Sequence, residues 1–203
     1  MNTSKFSKCL TMLFISTILL ATSTTLTAQS LKINPRTSTM AILGTTNVHD
    51  FQTNVTQLSG ELVLNASKQV QSFTFSVPVK SIKSKEKLMD TKTYEAFDAD
   101  KNPNIAFKLT EAAGFKVTGT DVEATVSGNL TMAGTTRKIT FKAIGKSSKA
   151  GVYEFKGSIP IKMTDYKMKP PTAMMGMMKV GDAITLKYDV FLEGSPLTAQ
   201  LDK

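Results

Sequence analysis

His49, the only histidine of the 203-residue chain, stands beside Asp50 in the run Gly44-Thr45-Thr46-Asn47-Val48-His49-Asp50-Phe51. An imidazole next to a carboxylate could act as a general base or begin a metal site. With one histidine, a metal there would need carboxylates or methionine sulfur to complete its shell. The single cysteine, Cys9, precedes an apolar N-terminal run and is lost if that run is cleaved. Without it the chain has no disulfide, no thiolate ligand and no thiol nucleophile. No nucleophile elbow, zinc-protease helix, P-loop or dinucleotide fingerprint occurs. The plainer expectation is that His49 closes a bend after a first strand. The enzyme alternative makes it the base of an exported enzyme acting on a small hydrophobic substrate.

Methionine is the second unusual feature. Met163, Met168, Met174, Met175, Met177 and Met178 fall within sixteen residues. Thioethers are soft ligands that favour Cu(I), so a copper-binding stress protein is one reading. Methionine is also a flexible filler for surfaces that adapt to a ligand. Pro170-Pro171 and Gly176 interrupt any regular element here. The favoured expectation is therefore a loop over one mouth, with Met168, Met174, Met175, Met177 and Met178 as an apolar lid or pocket wall.

The elements that would position these groups are strands. Val122, Ala124, Val126, Leu130 and Met132 alternate on one face up to Ala133-Gly134, and Ile139, Phe141 and Ala143 alternate on the way out. Such period-2 runs about a glycine link predict a hairpin with one wet and one apolar face. Ser38 to Leu43, Leu58 to Leu64, Phe73 to Val79, Ile105 to Leu109, Phe115 to Val117, Tyr153 to Met163 and Ile184 to Leu192 read the same way. Pro78, with no N–H to give, marks an edge, a bulge or a strand end. Ser84 to Phe97 lacks alternation and predicts one short or irregular helix, with Ser84 as its N-cap. The apolar parity picks out Phe73, Phe75, Val77, Phe107, Leu130, Phe141, Phe155, Ile159, Ile161, Leu186 and Tyr188 as inward-facing. Pattern alone fits a closed barrel or a two-sheet sandwich, and a filled core or a hollow one.

The ends and the charge narrow the setting. Lys5 and Lys8 precede an apolar stretch from Leu10 to Ala21 and a small-residue exit at Leu26-Thr27-Ala28, which predicts a signal peptide over residues 1–28. The stretch is shorter than the roughly 20 apolar residues a membrane span needs. Residues 29–203 then form one exported domain, periplasmic or secreted. The net charge is +9, but Arg36 and Arg137 are the only arginines. Lysines alternating with Thr and Ser suit a solvated sheet face that resists edge pairing, not a nucleic-acid groove. Transient contact with anionic membrane lipid is a weaker expectation.

Three segments resemble the YceI-like family of secreted lipid-binding proteins. They are Gly44 to Phe51, Phe97 to Phe107, and Gly128 to Ile139 with its G-x-L-T-x-x-G-x-T-[RK]-x-[IV] pattern. Asn102 departs from the pattern, standing where the family usually has an aromatic residue. The resemblance implies an all-β, eight-stranded antiparallel lipocalin-like β-barrel with one short helical insertion. It also implies that the eleven inward residues wall a tunnel for an isoprenoid lipid, with no catalytic residue and no metal or other cofactor. Arg137, His49 and Asp50 are then candidate neighbours of the lipid's polar head near one mouth. The oligomeric state is left open.

Overall fold

The computed structural model describes residues 29–67, 69–148 and 151–194, apart from the Phe115 side chain. The expected leader, residues 1–28, lies outside the described residues. Among the described residues there are twelve strands: β1 (Gln29–Ile33), β2 (Thr39–Thr46), β3 (Asp50–Val55), β4 (Ser59–Leu64), β5 (Val70–Pro78), β6 (Ile82–Lys83), β7 (Asn104–Thr118), β8 (Asp121–Met132), β9 (Thr135–Ser147), β10 (Val152–Lys162), β11 (Thr172–Ala173) and β12 (Met178–Gly194). One helix, α1 (Lys87–Phe97), joins β6 to β7.

Eight staves close the sheet. β12 pairs along one edge with β10, and along the other with β2 and then β1. β1 and β2 are thus one stave, kinked over residues 34–38. β3 with β4, and β5 with β6, form two more kinked staves. β7, β8, β9 and β10 follow in order, all antiparallel. Closure pairs most of the strand edges, which is the advantage of a barrel over a sandwich. However, β9 and β10 pair only from Ile144 to Ser147, so residues 135–143 of β9 and 157–162 of β10 share no ladder.

The kinks have local causes. At the first, Ser38 takes the place of a ladder carbonyl, its Oγ accepting from Phe191 N–H at 3.0 Å. The second and third kinks meet, with Thr56 N–H donating to Ser81 O at 2.9 Å. The Ser81 hydroxyl lies 2.7 Å from Pro78 O, which ends β5 where proline must leave the ladder. The β8–β9 turn is Ala133 and Gly134, both at positive φ, as the tightest hairpins require.

One end of the barrel is covered. Helix α1 crosses it, burying Phe97 and tying Tyr94 to the β5–β6 kink, with the Tyr94 hydroxyl 3.1 Å from the carbonyls of Lys80 and Ile82. A 3-10 turn, Met163–Tyr166, buries Met163 and Tyr166 beside it. At the opposite end the links are five residues or fewer.

Two expectations are corrected. The N-cap of α1 is Glu86, not Ser84. Ser84 instead donates both its N–H, at 2.6 Å, and its hydroxyl, at 2.8 Å, to Asp90 Oδ1, pinning the approach to the helix. Phe115 to Val117 is no separate strand but the far end of β7, which bulges near Thr110 and Gly114.

Candidate functional site

The inner face of the barrel surrounds a cavity of about 170 Å³. Its wall takes residues from all eight staves, and every one is apolar except for the hydroxyl of Tyr188. From Ile184 to Leu192 it follows β12 over nine residues, so at the usual strand rise and tilt the bore is about 20 Å long. All eleven residues that sequence parity turned inward lie on this wall.

Burial shows where the bore is tight. Wall residues are buried toward both ends, Val77, Phe97, Ile105, Leu130, Met132 and Ile161 near α1 and Ile33, Leu62, Val190 and Leu192 toward the other. Elsewhere, Phe73, Leu109, Val126, Ile139, Phe141, Phe155 and Leu186 face the same interior but are only half-buried. No inward side chain of β9 is fully buried. Side chains that point into a closed sheet yet keep accessible surface have space beside them. Toward the turn end the wall is small, with Ala112, Ala124 and Ala143 on adjacent strands.

Aromatic rings would be expected to plug such a bore, and glycine explains why they do not. Gly44, Gly128, Gly145 and Gly157 face inward, and each lies under a ring from a neighbouring strand. A Cβ at Gly128 would sit 2.3 Å from the Phe107 ring, and one at Gly44 would sit 2.5 Å from Phe51. At Gly145 the ring is Phe155, at 2.6 Å, and at Gly157 the Tyr188 hydroxyl is 2.5 Å away. Each ring folds back over bare backbone and lies along the wall. Phe107 also meets Phe73 and Phe141 at 6.0 Å between centroids, with planes tilted by 53° and 59°. Tilted rings at that separation lie within the favourable range for aromatic pairs, so the rings help hold one another in place.

Tyr188 is the one polar group on the wall. Burial pushes its phenol above the usual tyrosine range, and no hydrogen bond to another group offsets this. It is a neutral donor facing an apolar space.

The other predicted site residues do not converge on the bore. His49 is exposed at the β2–β3 turn, where its backbone N–H donates to Thr46 Oγ1 at 3.0 Å and its carbonyl accepts from that hydroxyl at 2.7 Å. This matches the bend expected of it. Asp50 begins β3, is also exposed, and pairs with Thr45. Arg137 sits on β9, across the ring of staves from His49, and donates from Nε to Asp165 O at 2.8 Å, capping the 3-10 turn. None of the three lines the cavity. Met168 is corrected from lid to core: it is buried, with its N–H bonded to Met163 O. Met174, Met175 and Met177 point outward and lie off the wall, as does the half-buried Met178. Among the described residues no cluster of His, Cys, Asp and Glu could hold a metal.

Among the wall residues that sequence parity did not pick out are Ile33, Met40 and Ile42. All three lie on the first, kinked stave, where the break over residues 34–38 resets the parity.

A closed eight-stranded barrel around a long apolar bore defines a lipocalin-like class of protein. The chain belongs to the YceI-like family, whose domain model matches residues 31–192. It resembles the crystal structure of BcnA from Burkholderia cenocepacia, with 19% identity and a TM-score of 0.64 over 78% of this chain and 98% of that one. A polyisoprenoid binding domain from Saccharophagus degradans superposes with a TM-score of 0.68 at 14% identity, over 82% and 99% of the two chains. A Campylobacter jejuni YCEI protein gives 0.55 at 20%, over 71% and 84%. No curated protein matches the sequence.

Proposed function

We propose that this chain binds, stores or carries a long apolar lipid of the isoprenoid quinone or polyprenyl class within the barrel, without catalysis. The observation that carries the reading is the bore, about 20 Å of apolar wall with one hydroxyl on it. Each methylene moved there from water contributes roughly 0.8 kcal/mol of gross transfer free energy. A chain of several isoprene units exceeds what immobilising it costs, although ordering losses bar turning the sum into an affinity. Met40 and Met132 in the wall are the adaptable side chains that let the bore fit more than one chain shape. The Tyr188 hydroxyl suits a ligand carrying an isolated acceptor oxygen.

The fold neighbour from Saccharophagus degradans, described as a polyisoprenoid binding domain, supports the same ligand class. The basic, then apolar, then small-residue start of the chain supports export with removal of residues 1–28. The enzyme alternative loses its base, because His49 is exposed on an outer turn and lies off the wall. Organic extraction of the purified protein, followed by mass spectrometry, tests the proposal.

A further inference from the structure

The exposed large apolar side chains of this barrel are unevenly placed. Five of them, Leu88 on α1 itself and Val48, Met174, Met175 and Met177 beyond it, lie at the end that α1 covers. Met174 to Met177 form the tip of a small hairpin whose arms are β11 and the start of β12. Met174 and Met175 are both at positive φ, with Gly176 following, a backbone that methionine rarely adopts. The hairpin is fixed from its flank. Asn47 Nδ2 donates to Met177 O at 2.8 Å, and Lys179 N–H donates to Asn47 Oδ1 at 2.8 Å. Val48 follows Asn47 directly, so it stands beside the methionines on a braced platform. Met175 is fully exposed.

Packing does not explain this knob, and a bound metal would ask its sulfur atoms to turn inward toward one point. Lys167 and Lys169 lie just before β11 and Lys179 at the start of β12, all exposed and in no ion pair among the described residues, while exposed Asp50 and Asp165 lie two residues from Val48 and Lys167. An apolar tip whose chain neighbours carry unpaired lysines in excess of exposed acids has the composition of a surface that inserts shallowly into an anionic bilayer.

We infer that the hairpin tip Met174–Met177, with Val48, is a membrane-docking knob that seats the α1 end of the barrel on a bilayer containing anionic lipid. The lysines draw this end to the surface, each giving roughly fivefold in partitioning. The methionines and Val48 then enter the headgroup boundary, where flexible thioethers adapt to irregular packing. The inference stands apart from the lipid-carrier reading, since a barrel could hold a lipid without touching a membrane.

Vesicle flotation of the purified protein tests it, with phosphatidylcholine vesicles compared against vesicles holding a third phosphatidylglycerol. The test variant is Met174→Asn/Met175→Gly/Met177→Ser, whose first two replacements tolerate the left-handed backbone. Wild type is expected to float with the anionic vesicles and at least tenfold less with neutral ones. The variant should lose flotation at least tenfold while keeping its melting temperature and its extractable lipid content. Lys167→Glu/Lys169→Glu/Lys179→Glu should abolish the preference for anionic vesicles. Wild type that ignores vesicles, or a methionine variant that floats as well as wild type, overturns the inference. So does Cu(I) binding or self-association that depends on these methionines while flotation does not. Extractable lipid in a protein that does not float would leave the carrier reading standing and remove only the docking knob.

Discussion

Tyr188 lies over Gly157 on the facing strand, so close that a Cβ at Gly157 would stand 2.5 Å from the phenol oxygen. The atom in the way is the far end of a side chain, not backbone. A methyl group at position 157 would therefore move the ring, and the free direction is into the bore. Gly157→Ala is expected to leave the melting temperature within a few degrees but to cut lipid content per chain by more than half, read by extraction and mass spectrometry. Unchanged lipid content would mean that the ring's position does not control the space.

The same phenol should select among ligands. Tyr188→Phe removes the only hydroxyl on the wall and nothing else. Competition between a polyprenyl chain with an acceptor oxygen and one without should shift by roughly two- to tenfold toward the purely hydrocarbon chain, as one net hydrogen bond implies. Binding of the hydrocarbon chain should stay as it was. Equal losses for both ligands would assign Tyr188 to packing alone.

His49→Ala separates a carrier from an enzyme. The turn is held by the backbone of His49 and the Thr46 hydroxyl, and the imidazole is exposed. Lipid retention and melting temperature should match wild type. A variant that folded but had lost retention would return His49 to the site.

Phe97 is the single buried side chain of α1 and part of the bore wall. Phe97→Ala is expected to cost about 3 kcal/mol of stability by the usual size of such cavities. It should also speed exchange of bound lipid, measured by transfer to acceptor vesicles. Slower exchange would contradict a closing role for the helix.

Acid should loosen the approach to that helix. Burial pushes the Asp90 carboxyl up, but the Ser84 N–H, the Ser84 hydroxyl and the Lys83 charge outweigh it and hold the pKa below the usual range. A depressed carboxyl stabilises the fold above its unfolded value of about 3.9, and that contribution fades as pH falls through the folded value. Amide exchange along α1 should be flat from pH 7 to 5, once corrected for intrinsic rates, and rise below about pH 4. In Asp90→Asn the acid rise should disappear. Its persistence in that variant would place the titrating group elsewhere.

Much of this architecture was legible because strands write their burial in a period of two. Val122 to Met132 and Ile139 to Ala143 predict the β8–β9 hairpin, and Ala133-Gly134 supplies its turn residue by residue. The second stave was harder to read. Asp50 to Val55 is polar at alternate places without a strong apolar partner set, so β3 gave little signal. Met168 eluded parity because a 3-10 turn and the left-handed Lys167 reverse the chain before it. The hollow itself could not be read from hydrophobicity, since a filled and an open barrel need the same inward residues. What distinguishes them here is the register that sets Gly44, Gly145 and Gly157 directly opposite Phe51, Phe155 and Tyr188.

Mass spectrometry of an organic extract tests the central claim most directly, with wild type run beside a bore-filling Ala124→Phe/Ala143→Phe variant. One dominant long-chain isoprenoid lipid, near one molecule per wild-type chain and absent from the equally folded variant, is the result expected. A wild-type extract free of lipid, from protein that also takes up none when mixed with polyprenyl or quinone lipids, would contradict the account.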